Sequence, residues 1–235
     1  MVPAGLRRWL EGGRPGLKVC GITREEDALA AITAGIDALG FNFYPKSKRH
    51  VPLADVAGWI ARLPEEIGRV AVVVNADETL LYELQSSGLF HAFQFHGGEA
   101  PEICARWGGD FYIKARPISD QDSAVAALAD PAPCLLLDAH APGEFGGTGR
   151  VIDWSLAARV AQQAQCPVVL SGGLNPENIA DAVWQVRPVA LDTQRCGIGA
   201  GNQRYRQNAR PRVGCAARLI RTHLCHGTSK RGGAR

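Results

Sequence analysis

Residues 167–192, Pro-Val-Val-Leu-Ser-Gly-Gly-Leu-Asn-Pro-Glu-Asn-Ile-Ala-Asp-Ala-Val-Trp-Gln-Val-Arg-Pro-Val-Ala-Leu-Asp, decide the fold. An apolar run, Pro167 to Leu170, ends in the polar, glycine-containing cluster Ser171-Gly172-Gly173 and is followed by a helical pattern from Pro176 to Val186. Asn175-Pro176-Glu177 combines a helix N-cap, a proline at the first helical position and an acid in the first turn. A second apolar run, Val189 to Asp192, then begins. A strand, a helix and another strand of this kind form a parallel crossover unit.

Working outward, the same unit recurs along the chain. Further apolar runs span Leu17 to Ile22, Ala38 to Tyr44, Arg69 to Val74, Ala92 to Phe95, Phe111 to Ala115 and Cys134 to Leu137. They are short and apolar throughout, as parallel strands covered on both faces must be. Helical patterns lie between them: Arg24 to Ala34, Leu53 to Leu63, Glu78 to Ser87, Pro101 to Trp107, Asp120 to Leu128 and Trp154 to Gln163. Thr23, ahead of Arg24-Glu25-Glu26, reads as a capping box. Eight strands with seven intervening helices favour closure into an α/β (βα)8 TIM barrel, a closed parallel sheet whose last helix is missing or degraded. The 235 residues suit one such domain, for which roughly 250 are typical. Residues 1–16 are set apart as an N-terminal extension, 17–192 as the barrel body and 193–235 as a divergent basic tail, read as disordered.

In such a barrel the groups that do chemistry sit on the loops after the strands. Those loops carry Cys20-Gly21, Tyr44 to Arg49, Asn75-Ala76, Gln94 to Gly97, Lys114-Ala115, Asp138 to Gly149 and Ser171-Gly172-Gly173. Taken alone, Cys20 is more commonly a small buried residue. Asp138 is different: an acid ending Cys134-Leu135-Leu136-Leu137 is costly to bury unless it faces a polar mouth.

Several function classes are excluded by composition. No stretch approaches the roughly 20 apolar residues of a membrane span, and Arg7, Arg8 and Glu11 stand where a secretory signal would be apolar, so no membrane partner and a cytoplasmic protein are expected. Seven cysteines without a C-x-x-C spacing give neither a disulfide framework nor a zinc site, and no metal is expected; Cys104 and Cys134 read as core residues. The net charge of +3 hides a division, because residues 1–192 carry 16 basic and 23 acidic groups, a net of −7, whereas the last 43 residues carry ten basic groups and no acid. That tail has one aromatic, Tyr205, and no recognisable binding module, so no nucleic-acid partner is expected.

Lys18-Val19-Cys20-Gly21, Phe43 to Arg49, Gln94-Phe95-His96-Gly97, Leu137-Asp138-Ala139, Gly146-Gly147-Thr148-Gly149 and Ser171 to Pro176 occur in one order at the ends of successive strands. In this the chain resembles the phosphoribosylanthranilate isomerases of tryptophan biosynthesis, over about Leu17 to Asp192. The resemblance implies an Amadori rearrangement of a phosphorylated small molecule, without metal or organic cofactor, by a monomer or homodimer. It implies Asp138 as the general acid that opens the ribosyl ring and Cys20 as the base that takes the proton from the neighbouring carbon. An ordinary thiol near 8.5 and an ordinary carboxyl near 3.9 are poorly matched to neutral pH, so such a site must shift its groups. It further implies Arg49 against the anthranilate carboxylate, Gln94, His96 and Asp192 as substrate-binding, and Gly172 and Gly173 as phosphate-binding. Two amides ahead of a helix start suit a phosphate dianion. Gly146 to Gly149 read as a mobile loop beside the acid, and His140 as a loop residue. The alternative within barrel enzymes is a sugar-phosphate lyase or aldolase, for which Lys114 is the candidate Schiff-base lysine.

The resemblance stops after Asp192. The family continues with Ser-Gly-Val-Glu, the other half of the phosphate site, and a final helix; here Thr193-Gln194-Arg195-Cys196-Gly197 follows. Codon degeneracy allows the residues from Gln194 onward, read one base out of register, to encode Ser-Gly-Val-Glu-Ser-Ala-Gln-Gly-Ile-Lys-Asp. A one-base insertion or deletion near Thr193 is therefore the reading adopted for the tail, and reduced phosphate affinity and stability are expected of the chain as written.

Overall fold

Eight strands run in chain order around a closed parallel barrel in the computed structural model, which describes residues 2–11, 14–139, 152–175 and 177–194. The strands are β1 (Gly16–Cys20), β2 (Ala38–Asn42), β3 (Gly68–Val73), β4 (Ala92–Phe95), β5 (Ile113–Ile118), β6 (Leu135–Ala139), β7 (Val168–Leu170) and β8 (Ala190–Thr193). The helices are α1 (Ala4–Leu10), α2 (Glu25–Thr33), α3 (Leu53–Ile60), α4 (Glu78–Ser86), α5 (Pro101–Gly108), α6 (Gln121–Leu128), α7 (Trp154–Gln163) and α8 (Ile179–Val186). The barrel closes through β1 and β8, with Lys18 opposite Asp192 and Val19 opposite Thr193. Every strand expected from the apolar runs is present, and each expected helix follows its strand. The expected loop at Gly146 to Gly149, His140 and the tail beyond Gln194 lie outside the described residues.

Two helix starts differ from the sequence reading. Arg24, not Thr23, is the N-cap of α2, and it makes no side-chain cap; its guanidinium instead bonds Asp27 at 2.9 Å. Helix α8 begins at Ile179, because Asn175 and Asn178 build a turn ahead of it. The Asn175 side chain accepts from the Glu177 and Asn178 amides at 2.9 and 3.1 Å, and Asn178 accepts from the Asn175 amide at 2.9 Å. A short polar side chain that satisfies nearby amides competes with helix and delays its start.

The stretch set apart as an extension holds α1, whose Leu6 and Trp9 are fully buried against β1, β2 and β3. It forms the floor of the barrel with Ala38, Val70 and Ala190. Glycines make room for it: a Cβ on Gly68 would strike Leu6, and one on Gly16 would strike Trp9. His91 lies against the same floor, where its Nδ1 accepts from the Arg69 amide at 3.1 Å and its Nε2 sits 2.9 Å from the Arg69 guanidinium. Burial, then the Arg69 charge, pushes the imidazole down to about 4 from an ordinary 6.5. The folded chain therefore binds fewer protons than the unfolded chain between those values, so stability is full above pH 6.5 and is lost as pH falls through about 4. Discounted for partial exposure, the loss by pH 5 should be roughly 1–2 kcal/mol. Urea midpoints at pH 7 and 5 check this, with His91→Gln expected to lack that share of the loss; equal losses in both proteins would refute it.

Candidate active site

Side chains alternate between the two faces of a strand, so each strand sends every second residue into the barrel. The interior carries Cys20, Val70, Val72, Ile113, Ala115, Leu136, Val169 and Ala190, whereas Val19, Leu135 and Leu170 pack against the surrounding helices. The inward positions nearest the carboxyl ends of the strands are where polar groups replace this apolar filling.

On β6, Asp138 is 6% exposed, and its Oδ1 accepts from the Ala139 amide at 2.8 Å. Its Oδ2 lies 3.3 Å from His96 Nε2. His96 Nδ1 in turn is 3.1 Å from Gln94 Nε2. An amide nitrogen can only donate, so the imidazole proton of this arrangement sits on Nε2, aimed at the Asp138 carboxyl. Gln94 is fully buried, and its Oε1 has no hydrogen-bond partner among the described residues. The three residues thus form one chain from β4 to β6 over the mouth.

Gly172 comes next to them. Its φ of +87° is one that side chains rarely tolerate, and a Cβ there would stand 2.9 Å from the Ala139 amide and 3.2 Å from Asp138 Oδ1. The loop after β7 therefore runs close over the acid only because this position is glycine. Gly173, at φ +65°, follows, and its carbonyl accepts from Asn178 Nδ2 at 3.0 Å.

At the same end of the barrel, Cys20 ends β1 and is 6% exposed. Burial pushes its thiol above the ordinary value, against the lowering fields of Lys18 and Arg49 and with a contribution from Asp192 in the same direction as burial. The expected downward shift is therefore not what this environment produces, because the loss of hydration outweighs the nearby cations. Arg49 reaches over Gly21, whose φ is +82° and whose missing Cβ leaves room for the arginine stem. Its Nη1 donates to Gln194 Oε1 at 2.6 Å and its Nη2 to the Gln194 carbonyl at 3.4 Å. Asp192 accepts from Lys18 Nζ at 2.8 Å, with both side chains buried.

Sequence reasoning had given no role to Lys18. A lysine in an apolar strand is a visible anomaly, yet its partner is 174 residues away. Lys114 is placed differently from the expectation for a Schiff-base lysine. It is paired in register with Leu135, which packs outward against the helices, and its Nζ donates to Glu99 Oε2 at 2.7 Å and to the Gly97 carbonyl at 2.9 Å. The residues that enter the interior from β5 are its neighbours Ile113 and Ala115. Glu99 also accepts from the Asn75 amide at 2.8 Å and the Gly97 amide at 2.9 Å, so Lys114 braces the turn after His96. Among the described residues, no group of three or more His, Cys, Asp or Glu is placed to hold a metal, and no helix is long and apolar enough to cross a membrane.

A closed parallel barrel with a thiol, a carboxyl, an imidazole and a glycine-rich turn at the carboxyl ends of its strands is a βα-barrel of the enzyme class. The model of the N-(5'-phosphoribosyl)anthranilate (PRA) isomerase family matches residues 17–196. The chain belongs to that family. An N-(5'-phosphoribosyl)anthranilate isomerase of Pseudomonas fluorescens is 44% identical over 178 residues, which are 74% of this chain and 85% of that protein. One of Nitrosococcus oceani is 42% identical over 181 residues, 76% of this chain and 86% of that protein. Among solved structures, the phosphoribosylanthranilate isomerase of Thermotoga maritima superposes with a TM-score of 0.75 at 33% identity, covering 90% of this chain and 99% of that one. A phosphoribosylanthranilate isomerase in complex with reduced 1-(o-carboxyphenylamino)-1-deoxyribulose 5-phosphate gives 0.72 at 32% identity, again covering 90% and 99%.

Proposed function

We propose that this chain isomerises N-(5'-phosphoribosyl)anthranilate to 1-(2-carboxyphenylamino)-1-deoxyribulose 5-phosphate, the Amadori step of tryptophan biosynthesis. The observation that carries the proposal is that an acid held by His96 and Gly172 and a buried thiol stand at the carboxyl ends of β6 and β1, at one end of the barrel, in a chain of this family. Asp138 delivers a proton to the ribosyl ring oxygen as the carbon–oxygen bond opens, leaving a Schiff base. The Cys20 thiolate then takes the proton from the carbon next to it. That C–H bond breaks, an S–H bond forms, and the electron pair moves towards nitrogen to give an enolamine, which tautomerises to the ketone. One carbon is reduced as its neighbour is oxidised, so the rearrangement balances without an external oxidant or reductant.

The remaining residues position the substrate in this reading. Arg49 offers a planar guanidinium to the anthranilate carboxylate, a geometry suited to two parallel hydrogen bonds. Gln94 offers the acceptor Oε1 to a substrate hydroxyl or amine, and His96 orients Asp138. Asp192 lies deeper, buried against Lys18. The turn at Gly172 and Gly173 presents backbone amides to the phosphate.

The test is turnover followed by the fluorescence change of the anthranilate group, run on this chain and on the product of a gene corrected by one base after Thr193. The corrected product carries Ser-Gly-Val-Glu after the eighth strand and supplies the second half of the phosphate cradle. A hydrogen bond to a charged group contributes about 1.5–3 kcal/mol, so regaining one such contact should lower KM about tenfold or more. Absence of turnover in both proteins would refute the activity; equal KM values would refute the frame reading.

A further inference from the structure

The two buried charges beneath Cys20 have no part in the chemistry just described, and they are expensive. A lysine and an aspartate with 0% and 2% side-chain exposure have lost nearly all hydration, and a buried ion pair of this kind is often no more stabilising than apolar residues of the same volume. Their location is the clue. Lys18 and Cys20 are two apart on β1, so both point into the barrel. Gly40 faces Cys20 across the β1–β2 pairing, and its missing side chain leaves room for both. A Cβ on Gly40 would stand 3.0 Å from Cys20 Sγ and 3.0 Å from Lys18 Nζ. Asp192, opposite Lys18 on β8, takes the ammonium from the other side at 2.8 Å.

We infer that Lys18 is the cationic partner of the Cys20 thiolate, and that Asp192 holds the ammonium in place while tempering the charge the sulfur receives. The inference rests on the reading of Cys20 as the base. A thiolate formed in this interior has little water to stabilise it, and an ammonium beside the same Gly40 gap replaces part of that hydration. Among the described residues, the charged groups acting on the sulfur are Lys18 from its own strand, Asp192 from β8 and Arg49 from the loop after β2. Lys18 exerts the largest of the three influences and favours the thiolate; Asp192 opposes it, and Arg49 assists more weakly. Lys18 donates no proton to the substrate here. It sets how much of Cys20 is thiolate, and so how fast the carbon acid is deprotonated.

The test needs no turnover. The pH dependence of iodoacetamide alkylation is read on the Cys20 peptide by mass spectrometry, which separates it from the other thiols. Lys18→Met alone would leave Asp192 buried and unpaired, so the informative variants are Lys18→Met/Asp192→Asn, which removes both charges, and Asp192→Asn, which leaves the cation. The double variant should move the alkylation midpoint up by about one pH unit, and Asp192→Asn should move it down. In the double variant kcat/KM at pH 7 should fall about tenfold with KM unchanged, since a tenfold smaller thiolate fraction slows only the proton abstraction. A pair that merely braces the barrel would move both midpoints together or neither, and either result overturns the inference. If the double variant does not fold, Asp192→Asn decides alone, because an unchanged or raised midpoint contradicts the proposed balance. Failure of the unsubstituted chain to turn over would sink the reading of the reaction without moving these midpoints.

Discussion

Cys20→Ala should reduce kcat/KM by about 10³- to 10⁴-fold while leaving KM within a factor of two or three. The upper part of the range for a positioned general base applies because no second base is in view among the described residues. His96 is turned to Asp138, Lys114 points away from the interior, and Asp192 is engaged by Lys18. Removing one sulfur from a buried site costs on the order of 1 kcal/mol of stability, too little to unfold a domain of ordinary stability. Thermal melting of the variant separates the two effects. The pH profile supplies a second check on the same residue. Because burial holds the Cys20 thiol above its ordinary value, the thiolate fraction grows throughout the neutral range, and kcat/KM should still be climbing at pH 9. A wild-type profile already flat at pH 7, or a Cys20→Ala enzyme within tenfold of wild type, would remove Cys20 from the role of base.

Asp138→Asn should cost about 10³-fold in kcat/KM for a different reason. The amide keeps the shape of the side chain, and its oxygen can still accept from the Ala139 amide, so the fold should melt within a few degrees of wild type. It cannot deliver a proton to a leaving ring oxygen. Ring opening then stalls before any Schiff base forms, so adding Cys20→Ala to this variant should cost far less than a second factor of 10³. Groups that serve successive steps of one reaction are not additive when the first has become limiting. Single-turnover measurements on the three proteins test this: a double variant reduced by the product of the two single effects would show that the residues act independently, and an Asp138→Asn enzyme within tenfold of wild type would show that another group supplies the proton.

Much of this architecture was legible because parallel strands buried on both faces must be apolar along their whole length. The run Cys134-Leu135-Leu136-Leu137 could be read as a strand for that reason, and Asp138 at its end stood out as a charge that needed a polar mouth. The same property hid the direction of each side chain. A strand that is apolar at every position does not announce which residues face inward, so Lys114 looked as available as Asp138 until its register with Leu135 turned it towards the helices. The helix starts misread at Thr23 and Pro176 failed on a smaller scale, where Arg24 and the Asn175–Asn178 turn won by local hydrogen bonding. Helix α1 was passed over because seven residues give too little periodicity to read, and its identity comes from the floor it covers.

By itself the order of residues determined eight strand–loop repeats, a thiol and a carboxyl at two strand ends, and glycines where a chain must turn without a Cβ. These are local properties, set by propensity, patterning and backbone sterics over a few residues. The assembly of the strands into a closed barrel decided the rest. It places Lys18 against Asp192 and beneath Cys20, it brings Gly172 over Asp138, and it turns Gln94 and His96 into the acid's support. Such pairings join residues far apart in the chain, and their electrostatics arise only once packing has removed the water between them.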